Sequence, residues 1–161
     1  HMFEGCTSLT TVTFKGLSNA VAYLDYVGPY YFAGCTSLKN INLADYVSVC
    51  DYAFAGCTKL YDVTFGGKNA DPEASMVVLG DYAFKDCTDN GGMALPKLVG
   101  YIGESVFSGW TDLQAIKTYE GQEEVLNMLS TGLFKGCAAT IYDKDFNILV
   151  IDPETGLVKT T

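Results

Sequence analysis

Six cysteines, nineteen carboxylates and one histidine are the side chains with reactive chemistry to offer, and their placement narrows that chemistry. The one histidine is His1, which with Met2 reads as an expression-tag remnant at residues 1–2. No imidazole base or Ser-His or Cys-His pair then remains. A carboxylate pair can hydrolyse a glycoside, but among nineteen acids some pair always lies at a suitable distance. No Gly-x-Gly-x-x-Gly stands between a strand and a helix, and no Walker-type phosphate loop is present. One stretch imitates a calcium loop, with Asp143, Asp145, Asn147 and, at the twelfth position, Glu154. An EF-hand needs Gly at its sixth position, where this chain has Ile148, so calcium is not expected. The chain reads as a non-enzyme without metal or cofactor.

The cysteines are placed by a recurring phrase. Phe-x-Gly-Cys-Thr stands at residues 3–7, 32–36 and 54–58, with degenerate copies at 84–88, 107–111 and 134–138. Successive Phe residues lie 29, 22, 30, 23 and 27 apart. A period in the low twenties with variable insertions predicts a solenoid, in which each unit stacks on its neighbours. Cys6, Cys35, Cys57, Cys87 and Cys137 then form a ladder, interrupted by Trp110. Parallel rungs about 4.8 Å apart do not aim Cβ atoms at one another as a disulfide requires. With no Cys-x-x-Cys pair there is no zinc template either. Buried free thiols acting as small apolar residues are expected. Cys50 reads as a packing residue at a position otherwise held mostly by Gly.

The elements that position the ladder follow from alignment on the Phe. Leu9, Leu38, Leu60 and Leu113 stand six residues on; Val12, Ile41, Val63, Met93 and Ile116 nine on; Phe14, Leu43, Phe65 and Leu95 eleven on. The last two positions share one face of a strand, leaving the intervening residues wet. Before each Phe come an apolar residue (Val27, Val49, Leu79, Ile102, Leu129), a small one, and then Pro29, Asp51, Asp81, Glu104 or Thr131. These last read as helix-start residues. Gly5, Gly34, Gly56, Gly109 and Gly136, two after the Phe, suit a left-handed cap. Each unit reads strand, short helical turn, strand: a repeat solenoid, mainly β with short helical turns, of about five to six coils.

These units resemble the BspA-like leucine-rich repeats, whose motif looks like I-G-x-x-A-F-x-G-C-x-x-L-x-x-I-x-[LIF]. Residues 49–60 and 79–84 match it closely, and the resemblance covers roughly residues 3–137. It departs at Trp110, at Asn90 and after Cys137. The resemblance implies a secreted or surface-attached bacterial protein with adhesion or host-protein binding as its role. Residues 138–161 are expected to form a C-terminal β-hairpin cap, with a turn at 152–156. The first repeat opens at its Phe, so a longer precursor or a removed signal is expected.

The formal net charge of −9, with ten dispersed lysines and no arginine, argues against nucleic acid and anionic membrane surfaces. No apolar run approaches the length of a membrane span. Candidate ligand-binding residues are the outward strand positions Thr11, Thr13, Asn40, Asn42, Asp62, Thr64, Ala115 and Lys117. Tyr23, Tyr26 and Tyr30, with Tyr31, are a second candidate group, since Tyr suits interfaces. Alternatively, some of these Tyr pack on the core like Tyr52 and Tyr82. The insertion at 66–75 reads as a surface loop that the binding face could adjoin. The expected role is an extracellular or cell-surface adhesion domain for a host or matrix protein or glycan. The alternative is a spacer arm of a larger surface protein. Self-association through exposed solenoid ends is a third possibility.

Overall fold

The alternation after each Phe becomes strand. In chain order the strands are β1 (Phe14–Lys15), β2 (Val21–Ala22), β3 (Leu24–Val27), β4 (Asn40–Val49), β5 (Asp62–Phe65), β6 (Met76–Leu79), β7 (Gly92–Ala94), β8 (Leu98–Ile102), β9 (Ala115–Lys117) and β10 (Thr140–Tyr142). The computed structural model describes residues 1–12, 14–15, 21–22, 24–65, 76–89, 91–96, 98–118, 127 and 132–159. Among these, named strands pair in parallel, except β1 with β2. One sheet runs β3-β4-β6-β8, with β5 also on β4, and a second runs β10-β9-β7. The protein is a parallel β-solenoid.

Unit length explains strand length. In the 22-residue unit nothing separates the strand after one Phe from the strand before the next, so both merge into β4. Its first residues pair with β5, from Asn40↔Asp62 to Leu43↔Phe65. Its last pair with β6, from Tyr46↔Met76 to Val49↔Leu79. The 30-residue unit carries the 66–75 insertion and breaks into β5 and β6. The strands before Phe32, Phe54, Phe84 and Phe107 form the path β3-β4-β6-β8, so four turns are complete among the described residues. Phe3 and Phe134 add a partial turn at either end of the six-coil expectation.

Between strands the backbone turns tightly rather than as an α-helix. The amide of Cys35 donates to Phe32 O (3.0 Å) and that of Ala33 to Tyr30 O (3.2 Å), i+3 to i. Two positions are left-handed throughout. The glycines two after the Phe have positive φ (Gly34 71°, Gly56 72°), as expected. The position two before it was not foreseen: Tyr30, Tyr52, Tyr82 and Ser105 have φ of 57°, 56°, 56° and 53°. A left-handed non-Gly residue costs about 1 kcal/mol or more. The conformation releases alternate amides from the turn to bond the next coil. One column runs Phe3 N to Tyr31 O, Phe32 N to Ala53 O, Phe54 N to Ala83 O and Phe84 N to Val106 O. A second runs Gly5 N to Ala33 O, Gly34 N to Ala55 O, Gly56 N to Lys85 O, Asp86 N to Ser108 O and Gly109 N to Gly136 O. A third links Tyr30 N to Asp51 O, Tyr52 N to Asp81 O and Tyr82 N to Glu104 O.

Beneath the turns the six Phe rings stack as a spine. Centroids along Phe3, Phe32, Phe54, Phe84, Phe107 and Phe134 lie 5.3, 5.3, 5.2, 6.0 and 6.1 Å apart. Each such pair contributes about 0.5–1.5 kcal/mol beyond its burial. The cysteines are more than small apolar fillers, because each buried thiol donates to the Phe carbonyl of the preceding coil. The bonds are Cys35 to Phe3 O (3.0 Å), Cys57 to Phe32 O (3.0 Å) and Cys87 to Phe54 O (3.3 Å). Trp110 continues the series, its indole Nε1–H donating to Phe84 O at 2.9 Å. All six cysteines are free. Burial of the ladder covers Cys35, Cys57 and Cys87 only; Cys6, on the outer side of the first coil, is exposed, and Cys50 and Cys137 are half-buried.

Trp110 also overturns one core expectation. Leu38 and Leu60 are buried, but Leu113 at the same repeat position is 87% exposed. The indole fills the volume that Cys and Leu share elsewhere, and Gln114 turns in instead. Its Oε1 accepts from Thr111 N (2.8 Å) and its Nε2 donates to Cys87 O (2.9 Å).

The C-terminal residues fold back on the last coil. Ile148 bridges Tyr142 and Val158 bridges Ile151, both antiparallel. Gly156 O accepts from Phe134 N (3.1 Å), taking the place of a further coil. A Cβ on Gly156 would meet Lys135 N at 2.3 Å. Asn127 clamps Val158, accepting from its N at 3.0 Å and donating to its O at 2.6 Å.

Candidate functional site

Parallel register gathers the outward strand residues into rows. Thr11 bridges Asn40, and Asn40 pairs with Asp62, so these three form one row across successive coils. Asn42 pairs with Thr64 in a second. Thr11, Asn42, Asp62 and Thr64 are exposed and Asn40 is half-buried, while Ile41, Leu43 and Phe65 turn inward. Between the two rows, along β5, Thr64 Oγ1 donates to Asp62 Oδ1 at 3.4 Å, a long and exposed contact. The rows therefore offer hydroxyl, amide and carboxylate groups at one-coil spacing, about 4.8 Å.

The second sheet carries the same face onward. Rows Gly92–Ala115–Thr140 and Ala94–Lys117–Tyr142 are in register. Ala115 and Lys117 are half-buried. Lys117 is less available than the sequence implies: its Nζ lies 4.1 Å from the centroid of the Phe146 ring. Such a contact contributes about 0.5–1 kcal/mol.

The tyrosines do not join these rows. Tyr26 pairs with Ser48, six residues along β4 from Asn42 and roughly 20 Å away. It is 51% exposed and packs edge-on against Tyr31 at 6.3 Å. A hydrogen bond with Cys50 raises its phenol pKa. Tyr30 stacks on Tyr52 (5.0 Å), which stacks on Tyr82 (4.9 Å), an aromatic column along the turn edge. Tyr30 is half-buried in that column. Thr13, Tyr23 and the 66–75 insertion lie outside the described residues.

Beside that column stands a group read from sequence only as helix caps. Asp51 Oδ1 accepts from Asp81 N (2.9 Å), and Asp81 Oδ1 accepts from Glu104 N (3.0 Å) and Tyr101 OH (2.6 Å). The acids cap the next coil, not their own turn. A Cβ on Gly80 would meet Asp51 N at 2.5 Å, which is why the position before the acid is small. The hydrogen bond to Asp81 pushes the Tyr101 phenol up to about 12.

The calcium-like stretch is a turn device. Asp143 Oδ1 accepts from Asp145 N and Asn147 N, each at 2.8 Å, and Oδ2 from Asn147 Nδ2 at 2.7 Å. Among the described residues no group of three or more His, Cys, Asp or Glu side chains is arranged to hold a metal. No helix among them is long and apolar enough to cross a membrane.

The family model described as BspA type leucine rich repeat region, in six copies, matches residues 1–70. Beyond the matched residues the same stacking continues at Phe84, Phe107 and Phe134. No curated protein and no solved structure matches the chain.

Proposed function

Because residues 1–70 match the BspA type leucine rich repeat model and the same stacking runs on to Phe134, we propose that the chain is an extracellular, bacterial cell-surface binding domain of that repeat type whose outward strand rows hold a protein or glycan. The family is generally surface-borne or secreted. The observation that carries the reading is the register of Thr11, Asn40 and Asp62 with Asn42 and Thr64. These side chains face solvent as an ordered array rather than being spent on the fold. Burial pushes Cys57 up to about 12 and Cys87 well above its ordinary value, so both stay protonated and unreactive at neutral pH. The scaffold has no catalytic part in this reading.

The test is an array of matrix proteins and glycans probed with this protein and with Thr11→Glu/Asn40→Glu/Thr64→Glu. Binding lost in the variant supports the reading; binding equal in both removes the rows from function. A second reading is favoured by the unbroken spine and amide columns, which make a stiff rod: a spacer that binds nothing. Silence of both proteins on the array supports it.

A further inference from the structure

The polar face is interrupted between β5 and β7. β5 pairs with β4 and β7 with β9, and among the described residues no pairing joins β5 to β7. The sequence changes there: the unit reads Asp89-Asn90-Gly91-Gly92 where the one before it has Lys59-Leu60-Tyr61-Asp62. Asp62 N donates to Lys39 O, so Asp62 and Thr64 spend their backbone groups on β4. Val63, between them, turns its N–H and C=O toward β7, since alternate residues of a parallel strand bond opposite neighbours. Val63 is half-buried against the core, and among the described residues these two groups have no partner. Backbone groups left in that condition are uncommon.

The interruption is narrow. Gly56 N donates to Lys85 O (2.8 Å) and Asp89 N to Thr58 O (3.0 Å), which keeps the two coils together as they leave the turn. An inserted strand needs about twice the ~4.8 Å rung spacing. The break therefore suits a hydroxyl rather than a peptide strand. A single hydroxyl can accept from Val63 N and donate to Val63 O.

An aromatic platform stands beside the break. Tyr61, absent from the sequence candidates, is 52% exposed at the corner where β5 begins. Its counterpart in the next coil is Gly91, where a Cβ would meet nothing within 4 Å, so the space on that side of the ring is open. Asp62, Thr64 and Thr58 are exposed around it. The charges cancel: Lys39 and Lys59 oppose Asp62 and Asp89, and one coil further Lys117 opposes Asp112. Such a balance gives an ionic partner no electrostatic gain, and one ring among small polar groups is no apolar interface core. A sugar chain matches both features. The C–H face of a pyranose packs on a tyrosine ring, and its hydroxyls bond carboxylate and hydroxyl neighbours. We propose that Tyr61, Asp62, Thr64 and the backbone of Val63 form a subsite for an uncharged glycan, with one sugar hydroxyl entering the break between β5 and β7. The inference rests on the binding role proposed above and names its ligand class.

The experiment titrates the whole protein by calorimetry with neutral oligosaccharides of glucose, mannose, galactose and N-acetylglucosamine, beside sialylated and sulfated ones. A neutral oligosaccharide binds, and its affinity is the same at low and high salt. Tyr61→Ala weakens binding about tenfold or more, whereas Tyr61→Phe retains it. Gly91→Ile, whose side chain enters open space, blocks binding at unchanged Tm. Lys39→Gln/Lys59→Gln leaves it unchanged. Binding confined to the charged sugars, or indifference to both Tyr61→Ala and Gly91→Ile, overturns the proposal. Matrix proteins bound through the rows with no oligosaccharide bound overturn it while leaving the binding role standing. Silence toward proteins and sugars alike removes both.

Discussion

Trp110 stands where the other repeat phrases carry Cys, and replacing it separates two contributions. Its indole fills the core at 1% exposure and donates to Phe84 O at 2.9 Å. Trp110→Phe keeps most of the ring and removes the donor. Phe84 O is then left with the Cys87 amide at 3.4 Å, a poor bond. A buried acceptor so weakened costs about 1–3 kcal/mol. Trp110→Cys restores the repeat phrase and the donor, since a thiol at this position reaches the same carbonyl in three other coils. It removes the ring, however, at a cost in the range of about 3–5 kcal/mol for an uncompensated cavity. Leu113, now exposed, can swing in to refill part of it. The consensus residue is therefore the more damaging change, by about 1 kcal/mol or more. Urea unfolding followed by circular dichroism measures both, because Trp110 is the only Trp. Tm falls by about 2–4 °C per kcal/mol in a chain of this length. A Trp110→Cys variant as stable as the parent refutes the volume reasoning, and an unperturbed Trp110→Phe refutes the role of Nε1.

A thiol reagent at neutral pH should label Cys6 first and leave Cys57 and Cys87 untouched until the protein unfolds. Mass mapping of a short pulse shows the order, and early labelling of Cys57 contradicts its burial. Gly80→Ala should destabilise by several kcal/mol, because its Cβ meets Asp51 N at 2.5 Å and Cys50 C at 2.6 Å, whereas Gly91→Ala meets nothing within 4 Å. Denaturation midpoints compare the two. Hydrogen bonds from Asn147 lower the Asp143 pKa, and the amides of Thr155 and Glu154 lower that of Asp152. Carboxyls depressed in the folded state stabilise it above their ordinary value of 3.8 and lose that effect as pH falls through the folded value. Amide exchange at 143–159 should therefore quicken below that pH before the Phe spine opens. Simultaneous loss of both contradicts a separate hairpin effect.

What the sequence makes legible is what repeats. Six Phe at solenoid spacing foretell the spine, and the period of two through Ile41 and Leu43 foretells which face of β4 is wet. The rows Thr11–Asn40–Asp62 and Asn42–Thr64 follow by counting from Phe. Long-range effects stay hidden. Asp51 and Asp81 have the composition of helix caps, but the amide each takes belongs to another coil some twenty to thirty residues on. Tyr52 gives no local sign of a left-handed backbone, which only the amide columns of the stack make favourable. Leu113 and Gln114 exchange places because of a neighbour's size. Lys117 meets Phe146 only because the chain returns after β10.

The amide columns along the turn edge give the solenoid a polarity of charge. In all three, N–H groups point toward later coils and C=O groups toward earlier ones. Peptide dipoles of about 3.5 D in these three columns thus add head to tail, as they do in an α-helix, and the opposed column of Cys50 N to Val27 O, Gly80 N to Val49 O and Gly103 N to Leu79 O cancels only part of the sum. The sense relative to the chain is reversed: the negative pole lies at the first coil and the positive pole at the last. A cation is favoured beside Met2 and Glu4, an anion beyond Gly136. The two ends of the rod are electrically distinct before any side-chain charge is counted.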